Sequence, residues 1–314
     1  MDLISIPENP VPEGAFVGAL KTHDGVNLRF ARWRAPAGSK GTVCLLQGRS
    51  EFIEKYFEVV RDLQARGFAV ATFDWRGQGL SDRALADPRK GHVRRFSDYD
   101  IDLETIIRDV LLPDCPPPHF ALGHSMGGAV LLRAARKGRR WFERMVLSAP
   151  MIALAGRADS FAARATARVL SLAGFGGSYI PGGGATAVPS LPFEGNVLTT
   201  DPVRYARTAA IIEAAPQLGI GSPTIAWLAT AYGCMHAFAD IAYPLSLRQP
   251  MLIVGAGQDA VVSTPAIEQF AIRLRAGSHV VIPGARHELM MEQDKVRGQF
   301  FAAFDAFVPG SPLF

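Results

Sequence analysis

The stretch Phe120-Ala121-Leu122-Gly123-His124-Ser125-Met126-Gly127-Gly128-Ala129-Val130-Leu131-Leu132 decides the fold. From His119 to Leu122 it reads as a short buried strand, and from Ser125 to Lys137 as a helix of small residues. Between them lies Gly-x-Ser-x-Gly. A serine at so sharp a strand-to-helix turn takes a strained backbone conformation, and glycines two residues to either side remove Cβ atoms that would collide. The free N–H groups of the helix N-terminus face that serine, so the Met126 amide can stabilise an oxyanion. Gly-rich turns without chemistry share these letters. The strand before and the helix after are what raise Ser125 to a candidate nucleophile.

Outward from this turn, strand and helix patterns alternate. Upstream, Phe16–Lys21 and Asn27–Arg34 flank His23-Asp24-Gly25, a hairpin signal. Gly41–Leu46 and Phe68–Phe73 are apolar runs of buried-strand length, separated by a helical stretch near Glu54–Arg66 that Gly67 closes. Tyr99–Leu112 is helical, and Arg144–Ser148 is a further strand. Downstream, strands at Met251–Val254 and His279–Ile282 alternate with helices at Pro265–Arg275 and Met290–Phe307. Such alternation predicts a mostly parallel sheet covered by helices. Residues 151–247 break the rhythm with helical stretches and Pro-containing turns. The expected division is a core of 1–150 and 248–314 interrupted by a mainly helical cap at 151–247.

A serine nucleophile at such a turn needs a base and an acid on loops after later strands, in the chain order Ser, Asp or Glu, His. Asp259 follows Met251–Val254 through Gly255-Ala256-Gly257-Gln258, and His287 follows His279–Ile282 through Pro283-Gly284-Ala285-Arg286. Both then reach the sheet edge where Ser125 stands. The simpler alternatives are a turn or capping Asp and a loop His bonded to backbone. Asp240 falls in the cap and Asp294 in a helix. His279 lies inside a strand, His119 precedes one, His236 is in the cap, and His124 should point away from Ser125. With the better-placed pair, His287 takes the serine proton and Asp259 orients the imidazole.

Composition narrows the remaining classes. At 48% hydrophobic and 20% charged residues over 314 positions, the chain can bury a large core. A net charge of +4 without a dense basic stripe argues against nucleic acid, and Lys137-Gly138-Arg139-Arg140 reads as the basic end of a helix. Cys44, Cys115 and Cys234 have no metal-ligand spacing, Cys44 reads as a buried thiol, and the usage suits a reducing cytoplasm. MDLISIPENPVPEG lacks the basic and apolar regions of a secretory signal, and no apolar run is long enough to span a bilayer. No metal or organic cofactor is implied.

The segments Gln47-Gly48-Arg49-Ser50-Glu51-Phe52-Ile53-Glu54-Lys55-Tyr56, Asp74-Trp75-Arg76-Gly77-Gln78-Gly79-Leu80-Ser81, Gly91-His92-Val93 and Gly123–Gly128, with the Asp259 and His287 loops, resemble the bacterial lysophospholipases and monoacylglycerol lipases of the α/β-hydrolase superfamily. The resemblance spans most of the chain outside the cap. It implies an α/β-hydrolase fold of the eight-stranded type. It also implies an oxyanion hole made by the backbone amides of Arg49 and Met126, with Asp74–Ser81 as a structural loop bordering the site. Many relatives carry His where this chain has Gln47, so the bonds that fix the oxyanion loop are expected to differ. The Arg49 side chain either meets a substrate phosphate or, the plainer reading, pairs with Glu51 or Glu54.

The implied activity is hydrolysis of a lipid-like monoacyl ester. A small-ester esterase, an aminopeptidase and an acyltransferase would keep the same triad, and a binding protein on the hydrolase scaffold is the reading outside enzymes. Aminopeptidases of this kind use acidic cap residues to hold an amine, and Asp159, Glu194, Asp201, Glu213 and Asp240 are present. Arg157, Arg164 and Arg168 share one side of a helical projection beside Phe161, Ala165, Val169 and Leu172. The simple expectation is a cap helix packed on the main domain with its arginines in water. The other is peripheral contact with an anionic membrane surface. Gly174–Gly184 is either a hinge or a plain linker. Among Phe193, Tyr205, Ile211, Ile212, Trp227, Tyr232 and Met235, some could line an acyl pocket and most should be core. A monomer or small homo-oligomer is expected.

Overall fold

The computed structural model of the chain describes residues 2–35 and 38–309. Eight strands form one sheet in the order β1-β2-β4-β3-β5-β6-β7-β8. They are β1 (Ala15–Lys21), β2 (Asn27–Trp33), β3 (Thr42–Leu46), β4 (Ala69–Phe73), β5 (His119–His124), β6 (Arg144–Ser148), β7 (Met251–Ala256) and β8 (Gly277–Ile282). Because β2 pairs antiparallel with both β1 and β4 while the other pairings are parallel, β2 alone runs against the rest. The five residues of β3 and of β4, and the six of β5 and of β7, are all buried. That explains why these strands read as continuous apolar runs rather than alternating ones.

Helices cover both faces: α1 (Phe57–Ala65), α2 (Asp98–Ile106), the short α3 (Leu112–Asp114), α4 (Met126–Arg136), α5 (Phe161–Leu172), α6 (Pro202–Ala214), α7 (Ile225–Phe238), α8 (Ala242–Ser246), α9 (Thr264–Ala271) and α10 (Asp294–Phe307). A π-helical turn at Ile107–Leu111 joins α2 to α3, so the helical reading of Tyr99–Leu112 covers two helix types. The core centres on β3, β4, β5 and β7 with α1, α4 and α10 packed over them.

Between β6 and β7 the described chain adds no strand to the sheet and holds α5 to α8. One expected helix differs. Arg157–Leu172 is not continuous: Gly156–Asp159 is a 3₁₀ turn, Ser160 is extended and caps α5 through its side chain, and Arg157 therefore lies outside the helix. The apolar stripe expected to pack is also largely open to solvent, with Phe161 87%, Val169 63% and Leu172 81% exposed. Only Ala167 of α5 is buried, and α5 rests on α7.

Strand order reverses at β3, which has β4 on one side and β5 on the other. In an open α/β sheet the crevice beyond the carboxyl ends at such a switch point is where a site forms. The loops after β3, β5, β7 and β8 carry Arg49, Ser125, Asp259 and His287 to that edge.

Candidate active site

Ser125 stands between β5 and α4 with φ +48° and ψ −110°, a conformation costing about 1–3 kcal/mol for a residue with a side chain. The turn is held by the Ser125 amide, which donates to Ser148 O at 3.0 Å, and by the Ser125 carbonyl, which accepts from Met151 N at 3.0 Å. The neighbouring glycine is required by space. A Cβ on Gly127 would lie 2.3 Å from the carbonyl oxygen of Leu46, so α4 could not approach the end of β3.

The structure brings the three predicted side chains into one chain of hydrogen bonds. His287 Nε2 lies 3.0 Å from Ser125 Oγ, and His287 Nδ1 lies 2.8 Å from Asp259 Oδ2. The other Asp259 oxygen accepts from the amides of Val261 at 2.8 Å and Val262 at 2.9 Å. Burial favours the neutral acid. The bond from His287, its charge and these two amides outweigh it, and together hold Asp259 below the usual carboxylate range. The rivals lie elsewhere. Asp240 accepts from Ala242 N in an exposed turn, Asp294 pairs with Arg204, and His119 bonds Cys115 O. His279 and His236 are exposed.

His124 makes no bond to Ser125; its Nδ1 lies 3.2 Å from Ser148 O. Its ring nevertheless packs against His287, centroid to centroid 4.8 Å. Burial pushes its pKa down to about 4, so it is a neutral wall that limits where His287 can move.

The loop after β3 is fixed from two sides. The Gly48 amide donates to Glu51 Oε2, and the Ser50 amide to Gln78 Oε1 at 3.1 Å. Gln78 Nε2 in turn donates to Gly48 O at 3.0 Å. These bonds engage the amides on both sides of Arg49, while the Arg49 N–H has no hydrogen-bond partner among the described residues. Gln47 donates to Thr72 Oγ1 at 3.3 Å, inside the sheet, so the loop itself is held by Gln78 and Glu51.

A buried ionic bridge, not visible in the sequence, joins this loop to the base. Lys55 Nζ lies 2.8 Å from Glu51 Oε1 and 2.6 Å from Glu288 Oε1, and Tyr56 OH donates to Glu51 Oε2 at 2.7 Å. Glu288 is the residue after His287, so one cation ties the Gly48–Glu51 turn to the histidine loop. The only sequence signal was the i, i+4 spacing of Glu51 and Lys55.

Above Ser125 and His287 opens a cavity of about 390 Å³. Its upper wall is apolar, built by Leu154, Val188, Trp227, Leu228 and Tyr232 from the segment between β6 and β7. Of the residues considered for an acyl pocket, Trp227 and Tyr232 line it. Phe193 and Tyr205 pack on each other, Ile211 and Ile212 form a second core cluster with Phe52, and Met235 is core. Within Gly174–Gly184, Ile180 lines the cavity, and its amide donates to Pro223 O at 3.1 Å. The expected pairing of Arg49 with Glu51 or Glu54 does not occur, because Glu51 is taken by Lys55 and Glu54 by Arg29.

A family model described as serine aminopeptidase S33 matches residues 37–294. The chain is 33% identical over 296 residues to lysophospholipase L2 of Escherichia coli K12, covering 91% of this chain and 84% of that one. It is 25% identical to a monoacylglycerol lipase of Mycolicibacterium smegmatis, over 86% and 89% of the two chains. In fold it is similar to a monoglyceride lipase of Saccharomyces cerevisiae solved with a substrate analog, with a TM-score of 0.72 at 20% identity over 93% and 95% of the chains. A monoacylglycerol lipase of Paleococcus ferrophilus gives a TM-score of 0.69 at 21% identity over 90% and 99%. With its sheet order, its strained serine turn and a family match across most of its length, the chain belongs to the serine aminopeptidase S33 family of α/β hydrolases.

Proposed function

We propose that the protein hydrolyses the carboxylic ester of a monoacyl lipid through an acyl-enzyme, with Ser125 as nucleophile, His287 as base and Asp259 as the group that orients it. The observation carrying this reading is the hydrogen-bonded chain from Ser125 through His287 to Asp259 at the floor of an apolar cavity. His287 Nε2 takes the hydroxyl proton as Ser125 Oγ attacks the ester carbonyl. The oxyanion is received by the Arg49 and Met126 amides. His287 then protonates the leaving alcohol, and water repeats the sequence to free the fatty acid. We read residues 151–247 as a cap whose inner face supplies the acyl-binding wall.

Chemistry of the cavity favours an ester over an aminoacyl amide. A peptide amine would need a free carboxylate. None of Asp159, Glu194, Asp201, Glu213 and Asp240 lines the cavity, and the two that do, Glu51 and Glu288, are both engaged by Lys55. The open apolar face of α5, with Phe161, Val169 and Leu172 beside Arg168, fits peripheral contact with a lipid surface, the source of such substrates. Among the described residues no helix is long and apolar enough to cross a membrane. The three free, buried cysteines fit a reducing compartment, and we keep the cytoplasm as the proposed location.

The test is release of fatty acid from lysophosphatidylcholine and from a monoacylglycerol, with an aminoacyl amide alongside. Ser125→Ala should lower lipid turnover by about five to six orders of magnitude, and a fluorophosphonate should label Ser125 alone. Cleavage of the amide with neither lipid touched would overturn the reading.

A further inference from the structure

His287 stands between two residues that both hold the segment joining β6 to β7. On its amino side, Arg286 donates from Nη1 to Asn196 O at 2.9 Å and to Thr199 O at 3.1 Å. On its carboxyl side, the Glu288 amide donates to Leu198 O at 2.8 Å. Glu292 joins the same two stretches. Its side chain is fully buried, and no cation pairs with it among the described residues. Oε1 accepts from the Arg286 amide at 2.7 Å. Oε2 accepts from the Thr200 amide at 3.0 Å, from the Thr200 hydroxyl, and from Gln293 N at 3.3 Å. Thr199 Oγ1 adds a bond to Met291 O at 2.7 Å. A buried carboxylate is tolerated only while its hydrogen bonds are kept, so parting Asn196–Thr200 from the histidine loop would strand this charge.

The stretch so held is also a wall of the cavity. Val197 and Leu198 line it together with His287, and Val197 is 43% exposed. The wall is stiffened from within, because Asn196 Oδ1 accepts from the amides of Leu198 at 3.0 Å and Thr199 at 3.1 Å. A ligand packed on Val197 and Leu198 therefore bears on a short, bonded turn. From that turn the Leu198 carbonyl leads directly to Glu288, and the Asn196 carbonyl to Arg286. Both routes end on a residue adjoining the base.

We propose that Arg286 and Glu292 are positioning residues that make the Val197–Leu198 wall and His287 one unit, so that an acyl chain packed on the wall raises kcat by holding the imidazole in place. The inference rests on the ester-hydrolase reading above and adds to it the route by which chain length acts on the chemistry. Contacts with a remote part of a substrate speed the reaction only when they are expressed at the reacting atoms. A displacement of about 1 Å there costs about 10²-fold in rate. His287 Nε2 already lies 3.0 Å from Ser125 Oγ, so the chain maintains this geometry rather than creating it. Because His287 serves both acylation and deacylation, the effect reaches kcat whichever step limits it.

The test compares kcat and KM for p-nitrophenyl butyrate and p-nitrophenyl decanoate. The unmodified protein should show the higher kcat on the decanoate. In Arg286→Ala and in Glu292→Gln the decanoate-to-butyrate ratio of kcat should fall about tenfold, with KM for the decanoate changing less, since the apolar wall itself remains. Arg286→Lys, which still carries donors toward the two carbonyls, should recover part of the ratio. Thr200→Val removes only the hydroxyl bond on the far side of Glu292, and should lower the ratio in the same direction by a smaller factor. It keeps the test open where the loop variants fail to fold. A purely structural role would lower kcat for both esters alike. That result, or equal kcat for the two esters in the unmodified protein, overturns the proposal alone. Hydrolysis of neither ester by the unmodified protein would remove the ester-hydrolase reading and this proposal with it.

Discussion

Replacing Lys55 by Met tests the buried bridge behind the active site. Lys55 and Glu51 are 3% and 4% exposed, and Glu288 10%, so deleting the ammonium leaves two buried carboxylates facing each other. Breaking a buried ion pair by removing one partner costs about 3–5 kcal/mol. With a urea m-value of about 3 kcal/mol/M, the unfolding midpoint should drop by roughly 1–1.7 M at pH 8. The loss should also depend on pH, with a definite sign. Burial works against the Glu51 carboxylate. The charge and hydrogen bond of Lys55, with the bond from Tyr56 OH, outweigh it and bring its pKa from 4.5 to about 2. A carboxyl depressed in the folded state adds stability above its unfolded value, and that stability fades as pH falls from about 4.5 toward about 2. In Lys55→Met the burial is no longer opposed by the ammonium, and the folded state gains by taking up a proton on Glu51. The gap between variant and unmodified protein should therefore narrow between pH 8 and pH 5. Urea unfolding followed by tryptophan fluorescence at both pH values reads this directly. A loss under about 1 kcal/mol, or a gap that is constant across the two pH values, would refute the ionic account.

Two further substitutions address the site itself. Asp259→Asn keeps the shape but offers His287 an amide and the wrong tautomer, and should lower kcat by about 10⁴ without shifting the urea midpoint by an equivalent amount; steady-state kinetics on a chromogenic ester would reveal it. Gln78→Ala removes the bonds to Ser50 N and Gly48 O that fix the Arg49 amide, and should lower kcat by roughly 10- to 100-fold with KM little changed, since a loosened donor acts mainly on the oxyanion.

Much of the architecture is legible in order along the chain. The buried strands β3, β4, β5 and β7 are short apolar runs bounded by Gly, Pro or charged residues, and the period and length of those runs suffice to identify them. The loop positions of Ser125, Asp259 and His287 follow from the same reading, since parallel strands deliver their following loops to one edge. Helix continuity in the segment after β6 was harder. Ser160 can sit inside a helix or cap one, and here its hydroxyl accepts from Ala163 N and starts α5 afresh. Whether Phe161 and Leu172 are covered depends on which face of α5 meets α7, and an amphipathic pattern cannot state its partner.

Local periodicity and turn chemistry, being properties of neighbouring residues, were enough to determine the strand–helix alternation, the serine turn and the order of its partners. What only the tertiary structure decided are the pairings across long separations. Lys55 meets Glu288 233 residues away, Gln78 anchors the Gly48–Ser50 turn, His124 packs on His287, and Arg49 is left without a carboxylate. Charges attract by distance in space, and several acids lie near each cation in the chain. Which of them is satisfied is settled only when the sheet and the helices close around them.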